Sequence, residues 1–168
     1  MLRLNLGSGP HPLDDFINID LFAPADVKDD AVTLKQFQPG SIDEIVASHV
    51  LEHFGKHAGA RALRRWWQLL AIGGRITITV PDVGMSMRAW LDAYNNGGHV
   101  WEFRSRAIWG DQAHEGEYHK WGYDESSLRD AMLRAGFKGI KIRRENGHDP
   151  EQPGNVRTGW WIVAEAEK

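Results

Sequence analysis

The sequence predicts an α/β fold: a doubly wound sheet, mostly parallel, that ends in an antiparallel strand. Three observations carry this. Short apolar strand segments alternate with amphipathic helical segments through most of the chain, the pattern of a sheet covered by helices. The first strand segment runs straight into a glycine turn, Gly7-Ser8-Gly9-Pro10. The last two strand segments are joined by a polar loop containing Pro and Gly, as in an antiparallel pair.

Taken in order, Leu2, Leu4 and Leu6 alternate with Arg3 and Asn5, the period of a half-buried strand. A second strand is expected over residues 16–20 and a brief third near 26–28. Pro39-Gly40 marks a turn before a strand at 44–48, which contains Ile45-Val46-Ala47. Residues 57–72 read as a helix, with Leu63, Trp66, Trp67 and Leu70 on one face. Gly73-Gly74 is expected to stop it. A β-branched strand at 75–80 follows, closed by Pro81. Residues 85–94 read as helical, and 97–123 as irregular and rich in aromatics and histidines. Asp124 is expected to cap a helix over 125–135, with Tyr123 packed on Leu128 and Gly136 ending it. Strands at 138–145 and 158–165 complete a single domain over 1–168.

The length of 168 residues fits one domain, and 42% hydrophobic with 26% charged residues fits a chain with a core. A net charge of -3 provides no global basic field, so nucleic acid is not an expected partner. The absence of cysteine excludes disulfides, thiolate metal sites and cysteine nucleophiles. No apolar run reaches membrane-spanning length, and residues 1–10 lack a signal-peptide pattern. The expected location is the cytoplasm, with no membrane partner.

Ligands of such sheets bind beyond the carboxyl ends of the strands, where strand order reverses. Gly7, Ser8 and Gly9 follow the first strand, where glycine lets backbone approach a ligand closely. Asp20 ends the second, where a carboxylate accepts hydrogen bonds from both ribose hydroxyls or serves as a turn residue. A dinucleotide is disfavoured. Pro12 stands where a third glycine would be needed, and the link from Gly9 to Phe16 is too short for a pyrophosphate-binding helix. A cofactor with a ribose and no phosphates is expected. The same short link runs against the length of a parallel crossover, about a dozen residues.

Leu4-Asn5-Leu6-Gly7-Ser8-Gly9, Ile17-Asn18-Ile19-Asp20-Leu21, Asp30-Ala31 and Ser48-His49-Val50-Leu51-Glu52-His53 together resemble a compact class I S-adenosylmethionine-dependent methyltransferase, a Rossmann-like family. Gly73-Gly74 and Val80-Pro81-Asp82 fit the same pattern. The resemblance covers residues 2–82 and continues more loosely through 123–137 and the final strands. It implies S-adenosylmethionine as cofactor, with Gly7, Ser8 and Gly9 at its methionine part and Asp20, beside Leu21, at its ribose. Asp30 and Ala31 would meet the adenine, and Ser48 and His49 would border the transferred methyl. Asn5 stands where the family often has a carboxylate for the cofactor amino group. The family's N-terminal lid has no counterpart before Leu2, so residues 97–123 are expected to act as lid and acceptor segment.

Amino-group methyltransferases of DNA carry an Asn/Asp-Pro-Pro-aromatic turn where this chain has Ser48-His49-Val50-Leu51, and a thiolate mechanism is closed without cysteine. Methyl transfer to oxygen of a small-molecule or saccharide-like acceptor is therefore expected. His119, His49 and His114 are the candidate bases, against the alternative of surface or hydrogen-bonding histidines. Trp101, Trp109, Tyr118 and Trp121 would stack on the acceptor, form a small second core, or make a homodimer contact. Arg61, Arg64 and Arg65 would contact phosphate or form a solvated helix face. Two rival readings remain. One is a catalytically silent cofactor-binding or interaction module. The other is a zinc hydrolase, because His49-Val50-Leu51-Glu52-His53 matches H-x-x-E-H. That match needs a helix, whereas His49 follows a strand directly, so no metal is expected.

Overall fold

The computed structural model describes residues 1–97, 101–147 and 159–168. Within them one sheet is formed by β1 (Arg3–Leu6), β2 (Ile17–Ile19), β3 (Ile42–Ser48), β4 (Leu70–Pro81), β5 (Lys138–Gly147) and β6 (Gly159–Glu167), in the order β2-β1-β3-β4-β6-β5. The first four strands are parallel, and β6 runs antiparallel to both β4 and β5. The helices are α1 (Lys56–Leu69), α2 (Val83–Asn95), α3 (Trp101–Trp109) and α4 (Glu125–Ala135). No described helix is long and apolar enough to cross a membrane.

The short first crossover works because its strands are short. β2 has 3 residues, so the chain must climb back only about 10 Å at 3.3 Å per residue. No helix is needed. A polar clasp replaces it: Asn5 and Asn18 are register partners, and Asn5 Nδ2 donates to Asn18 Oδ1 at 2.9 Å. Asn18 Oδ1 also accepts from the Leu13 amide at 2.8 Å. The strand expected near 26–28 is reduced to one parallel bridge between Val27 and Ile19. Asp26 accepts from the Asn18 amide and side chain, so side-chain bonds replace a longer ladder.

Leu4, Leu6, Ile45, Ala47, Ile76, Ile78, Val80, Ile162 and Ala164 turn one sheet face into a single core with Leu63, Trp66 and Leu69 of α1 and Leu128 and Met132 of α4. α1 and α4 pack together, while α2 packs with α3 and meets the sheet at β6, giving helices on both faces. α1 ends at Leu69, three residues earlier than its periodicity suggests, and Leu70 already belongs to β4. Gly73-Gly74 is therefore not a helix stop but an irregularity inside the strand, where the pairing with β3 shifts register between Ile42 and Glu44. A Cβ on Gly74 would lie 2.9 Å from the Ala71 carbonyl oxygen. The expected start of the last strand at Thr158, and the loop before it, lie outside the described residues.

The cap of α4 is as expected. Asp124 Oδ1 accepts from the Ser127 amide at 2.7 Å, Ser127 Oγ accepts from the Asp124 amide, and Tyr123 joins Leu128 in the core. Asp124→Ala should lower stability by about 0.5–2 kcal/mol in denaturant titrations. The Ser127 hydrogen bonds hold the Asp124 carboxyl below its usual range. The difference between the two proteins should thus be full above the unfolded carboxyl pKa and vanish as pH falls through the folded one. Equal midpoints at neutral pH would show that the cap does not support the helix.

Candidate active site

Chain order reverses at β1, whose neighbours are β2 on one side and β3 on the other. A cavity of about 780 Å³ opens there, at the carboxyl ends of the parallel strands. Gly7, Ser8 and Gly9 line it after β1, and Asp20 and Leu21 line it after β2. Asp30, Ala31, Ser48 and His49 line it as well, as do His114 and His119. Of the residues singled out in the sequence for cofactor or catalysis, Asn5 alone does not reach it. Its amide is held by Asn18 and lies 3.5 Å from the His11 carbonyl, bracing the turn from below.

The glycine turn is shaped by its surroundings. Gly7 has φ 62°, and a Cβ there would sit 2.4 Å from Val50 Cγ2. Asp20 ties the turn to the next loop: Oδ2 accepts from Gly9 N at 2.9 Å, and Oδ1 accepts from Phe22 N and Ala23 N, each at 2.7 Å. Ala31 and the residues after it are held from α1. The Arg65 guanidinium donates to the carbonyls of Thr33, Leu34 and Phe37, and buried Trp66 donates to Ala31 O at 2.8 Å. Arg65 is thus neither a phosphate contact nor part of a solvated face, while Arg61 and Arg64 are exposed.

His49 leaves β3 with φ 54°, a left-handed conformation that costs a non-glycine residue roughly 1–2 kcal/mol. The chain then makes a single 3₁₀ turn over Leu51–His53. His49 and His53 therefore do not share an α-helical face, and the H-x-x-E-H spacing loses its zincin geometry. Instead Glu52, only 2% exposed, faces three imidazoles. Its Oε1 lies 3.2 Å from His49 Nδ1, and its Oε2 is buried with no hydrogen-bond partner. Burial alone would raise its pKa. The His49 hydrogen bond and the fields of His49, His53 and His119 outweigh that and hold it below the usual range.

His53 Nδ1 is 3.3 Å from Tyr118 O, and His119 Nδ1 is 3.2 Å from Ala107 O. Their rings meet edge to face at 4.9 Å. Glu52 O accepts from Lys120 N at 2.9 Å and Trp121 N at 3.2 Å, which locks the two segments together. Burial pushes the His119 imidazole below the usual histidine value, against the pull of Glu52. His114 sits at the exposed rim. Its Nδ1 accepts from Gly116 N at 3.1 Å, its Nε2 lies 3.4 Å from Glu117, and its ring packs on Phe22.

Residues 97–123 are not irregular throughout. Their described part contains α3 and a 3₁₀ turn at Glu115–Glu117, and Arg106, Ala107, Gly110 and 114–117 wall the cavity. The expected stacking residues Trp109, Tyr118 and Trp121 are 55%, 42% and 41% exposed and do not line it. Nothing is described of the Trp101 side chain. Aromatics reach the cavity from elsewhere: Phe22, Phe54, Trp160 and Trp161. Trp161, on β6, meets the His49 ring edge to face at 4.8 Å. No local pattern near the glycine turn could have identified it.

A carboxylate and a glycine turn at the switch point of a doubly wound sheet are where proteins of this class hold nucleoside cofactors. A family model described as a methyltransferase domain matches residues 8–142. The chain is similar to the crystal structure of a SAM dependent methyltransferase from Archaeoglobus fulgidus, at 16% identity and TM-score 0.66, covering 99% of this chain and 85% of that one. It is also similar to Burkholderia thailandensis 1,6-didemethyltoxoflavin-N1-methyltransferase, solved with 1,6-didemethyltoxoflavin and S-adenosylhomocysteine, at 17% identity and TM-score 0.65, covering 99% and 70%. A possible histamine N-methyltransferase from Thermotoga maritima matches at 14% identity and TM-score 0.63, covering 99% and 82%. Among curated proteins none matches. The chain belongs to the methyltransferase domain family, and its cofactor is S-adenosylmethionine.

Proposed function

We propose that this protein transfers a methyl group from S-adenosylmethionine to an oxygen of a small-molecule or saccharide-like acceptor. One observation carries the reading: buried Glu52, ringed by His49, His53 and His119, shares a cavity with the glycine turn and Asp20. Once bound, S-adenosylmethionine would supply an activated methyl group, with the carbon–sulfur electron pair retained by its sulfur. The chain supplies the rest. Asp20 presents its carboxylate to the ribose hydroxyls while it holds the turn in shape. The hydroxyls of Ser8 and Ser48, buried without partners in the cavity wall, offer hydrogen bonds to polar groups of the cofactor. Asp30 and Ala31, the latter anchored by Trp66, border the adenine, and Asn5 acts through the turn.

A hydroxyl is a weak nucleophile until its proton leaves. His119 is placed to serve that step, since its Nδ1–H is committed to Ala107 O and Nε2 carries the lone pair. His49, hydrogen-bonded to Glu52, orients the carboxylate beside it. His114 closes the rim. The proton of the acceptor passes to this cluster as the carbon–oxygen bond forms. The similar structures include a nitrogen methyltransferase, so the choice of oxygen rests on the cluster. A cysteine-free sequence fits the cytoplasm.

The test is a panel of hydroxyl, amine and carboxylate acceptors, followed by S-adenosylhomocysteine release and product mass. Methylation of a hydroxyl is expected. Methyl transfer confined to amines would overturn the acceptor assignment. Calorimetric cofactor binding with no transfer to any acceptor would leave the cofactor-binding module as the reading.

A further inference from the structure

Glu52, His53 and His119 each offer a ligand atom, one carboxylate oxygen and two imidazole nitrogens, within 4.8 Å of one another. All three line the cavity. From this cluster we propose a divalent-cation site of the two-histidine, one-carboxylate type, suited to Zn²⁺ and open towards the methyl acceptor.

Each donor is prepared for the task. The Nδ1 atoms of His53 and His119 face the carbonyls of Tyr118 and Ala107, which places the ring protons there. That leaves Nε2 of each ring with its lone pair, the arrangement by which outer partners set the tautomer of ligating histidines. Glu52 Oε1 accepts from His49, while Oε2 is buried and has no partner. A bare carboxylate oxygen in the interior is costly to leave unmatched. A cation at the cluster gives it a partner and offsets the charge of the buried carboxylate.

The cluster is also held in place before any ligand arrives. Glu52 O accepts from Lys120 N and Trp121 N, which ties the 3₁₀ turn to the segment carrying His119. Two imidazoles and one carboxylate favour a borderline transition cation over Mg²⁺ or Ca²⁺, which prefer oxygen donors. Three protein donors leave a coordination position open, the mark of catalytic rather than structural zinc sites. An acceptor oxygen in that position would be acidified by the cation. His119 would then act as a ligand in place of a base, and the proton of the acidified hydroxyl would pass to solvent water in the open cavity. This set shares Glu52 and His53 with the H-x-x-E-H motif but replaces His49 with His119. His49 becomes a positioning residue for Glu52.

The consequence for the acceptor rests on the methyl-transfer reading, but cation binding does not. The experiment uses the full chain, stripped with chelator, reloaded with Zn²⁺ and dialysed, with metal content measured in the absence of S-adenosylmethionine. About one equivalent should be retained, as expected for a three-donor site. His53→Ala and His119→Ala should lose more than the about 10–100-fold in affinity that removal of an outer partner costs, and His49→Ala should fall within that range. Mg²⁺ should not displace Zn²⁺. Glu52→Gln removes a buried charge and is read beside its circular dichroism; His53→Ala, at a half-buried position, carries the test if Glu52→Gln unfolds. Retention by the wild type no greater than by a His53→Ala/His119→Ala double variant would overturn the site, as would preference for Mg²⁺. Stoichiometric Zn²⁺ with no methyl transfer to any hydroxyl would instead leave the site standing and remove the oxygen-acceptor reading.

Discussion

The His119→Ala protein is expected to lose about 10²–10⁴ in methyl-transfer rate, the range for a positioned acid–base group, while keeping its affinity for S-adenosylhomocysteine. The separation follows from geometry. His119 reaches the cavity from the segment after α3, beside Glu52 and His53, whereas the glycine turn and Asp20 belong to the ends of β1 and β2. His119 N donates to Trp109 O and its ring is tied to Ala107, so truncation removes a group without releasing the glycine turn. Single-turnover rates at saturating cofactor, with calorimetry of the product cofactor, read the two quantities separately. A rate close to that of the wild type, or an equal loss in both quantities, would remove His119 from the chemistry. If the loss appears mainly in acceptor affinity, its role is contact rather than proton transfer. Parallel loss of Zn²⁺ would assign it as a ligand.

Asp20→Ala should weaken S-adenosylmethionine binding by about 1.5–3 kcal/mol, the scale of hydrogen bonds to a charged group. Two effects act in the same direction. On the proposed ribose contact, the hydroxyls lose their acceptor, and the amides of Gly9, Phe22 and Ala23 lose the carboxylate that sets their orientation. Circular dichroism should be unchanged, because Asp20 is only partly buried and lies outside the core. Unaltered affinity in an intact fold would sink the ribose assignment.

Much of this site was legible because its parts are local. A glycine turn after a strand and an acid after the next strand lie in stretches of a few residues, and parallel pairing brings them together at one sheet edge. Asp124 and its cap are equally local. Other features required distance to be resolved. Periodicity placed Arg65 on an outer face, yet its guanidinium collects three carbonyls from residues 33–37. Tryptophans in 101–121 suggested stacking. The described ones face solvent, because α3 and the turn after it present Arg106, Ala107 and His119 to the cavity. Gly73-Gly74 resembled a helix stop because a left-handed glycine serves helix ends and strand irregularities alike.

By itself the sequence determined the α/β class, the antiparallel end of the sheet, and the glycine turn and Asp20 that line the cavity. These depend on residue types within one strand and the loop that follows, where short-range sterics and alternation leave few solutions. Only the tertiary structure decided what surrounds Glu52. His49 bends out of β3 at a positive φ, the next residues make a 3₁₀ turn, and His119 arrives from beyond α3 to face a buried carboxylate. The motif H-x-x-E-H contains Glu52 and His53, two of the three groups of the proposed cation site. The third comes from a remote segment held by hydrogen bonds to the Glu52 carbonyl, and such contacts across the chain leave no trace in local spacing.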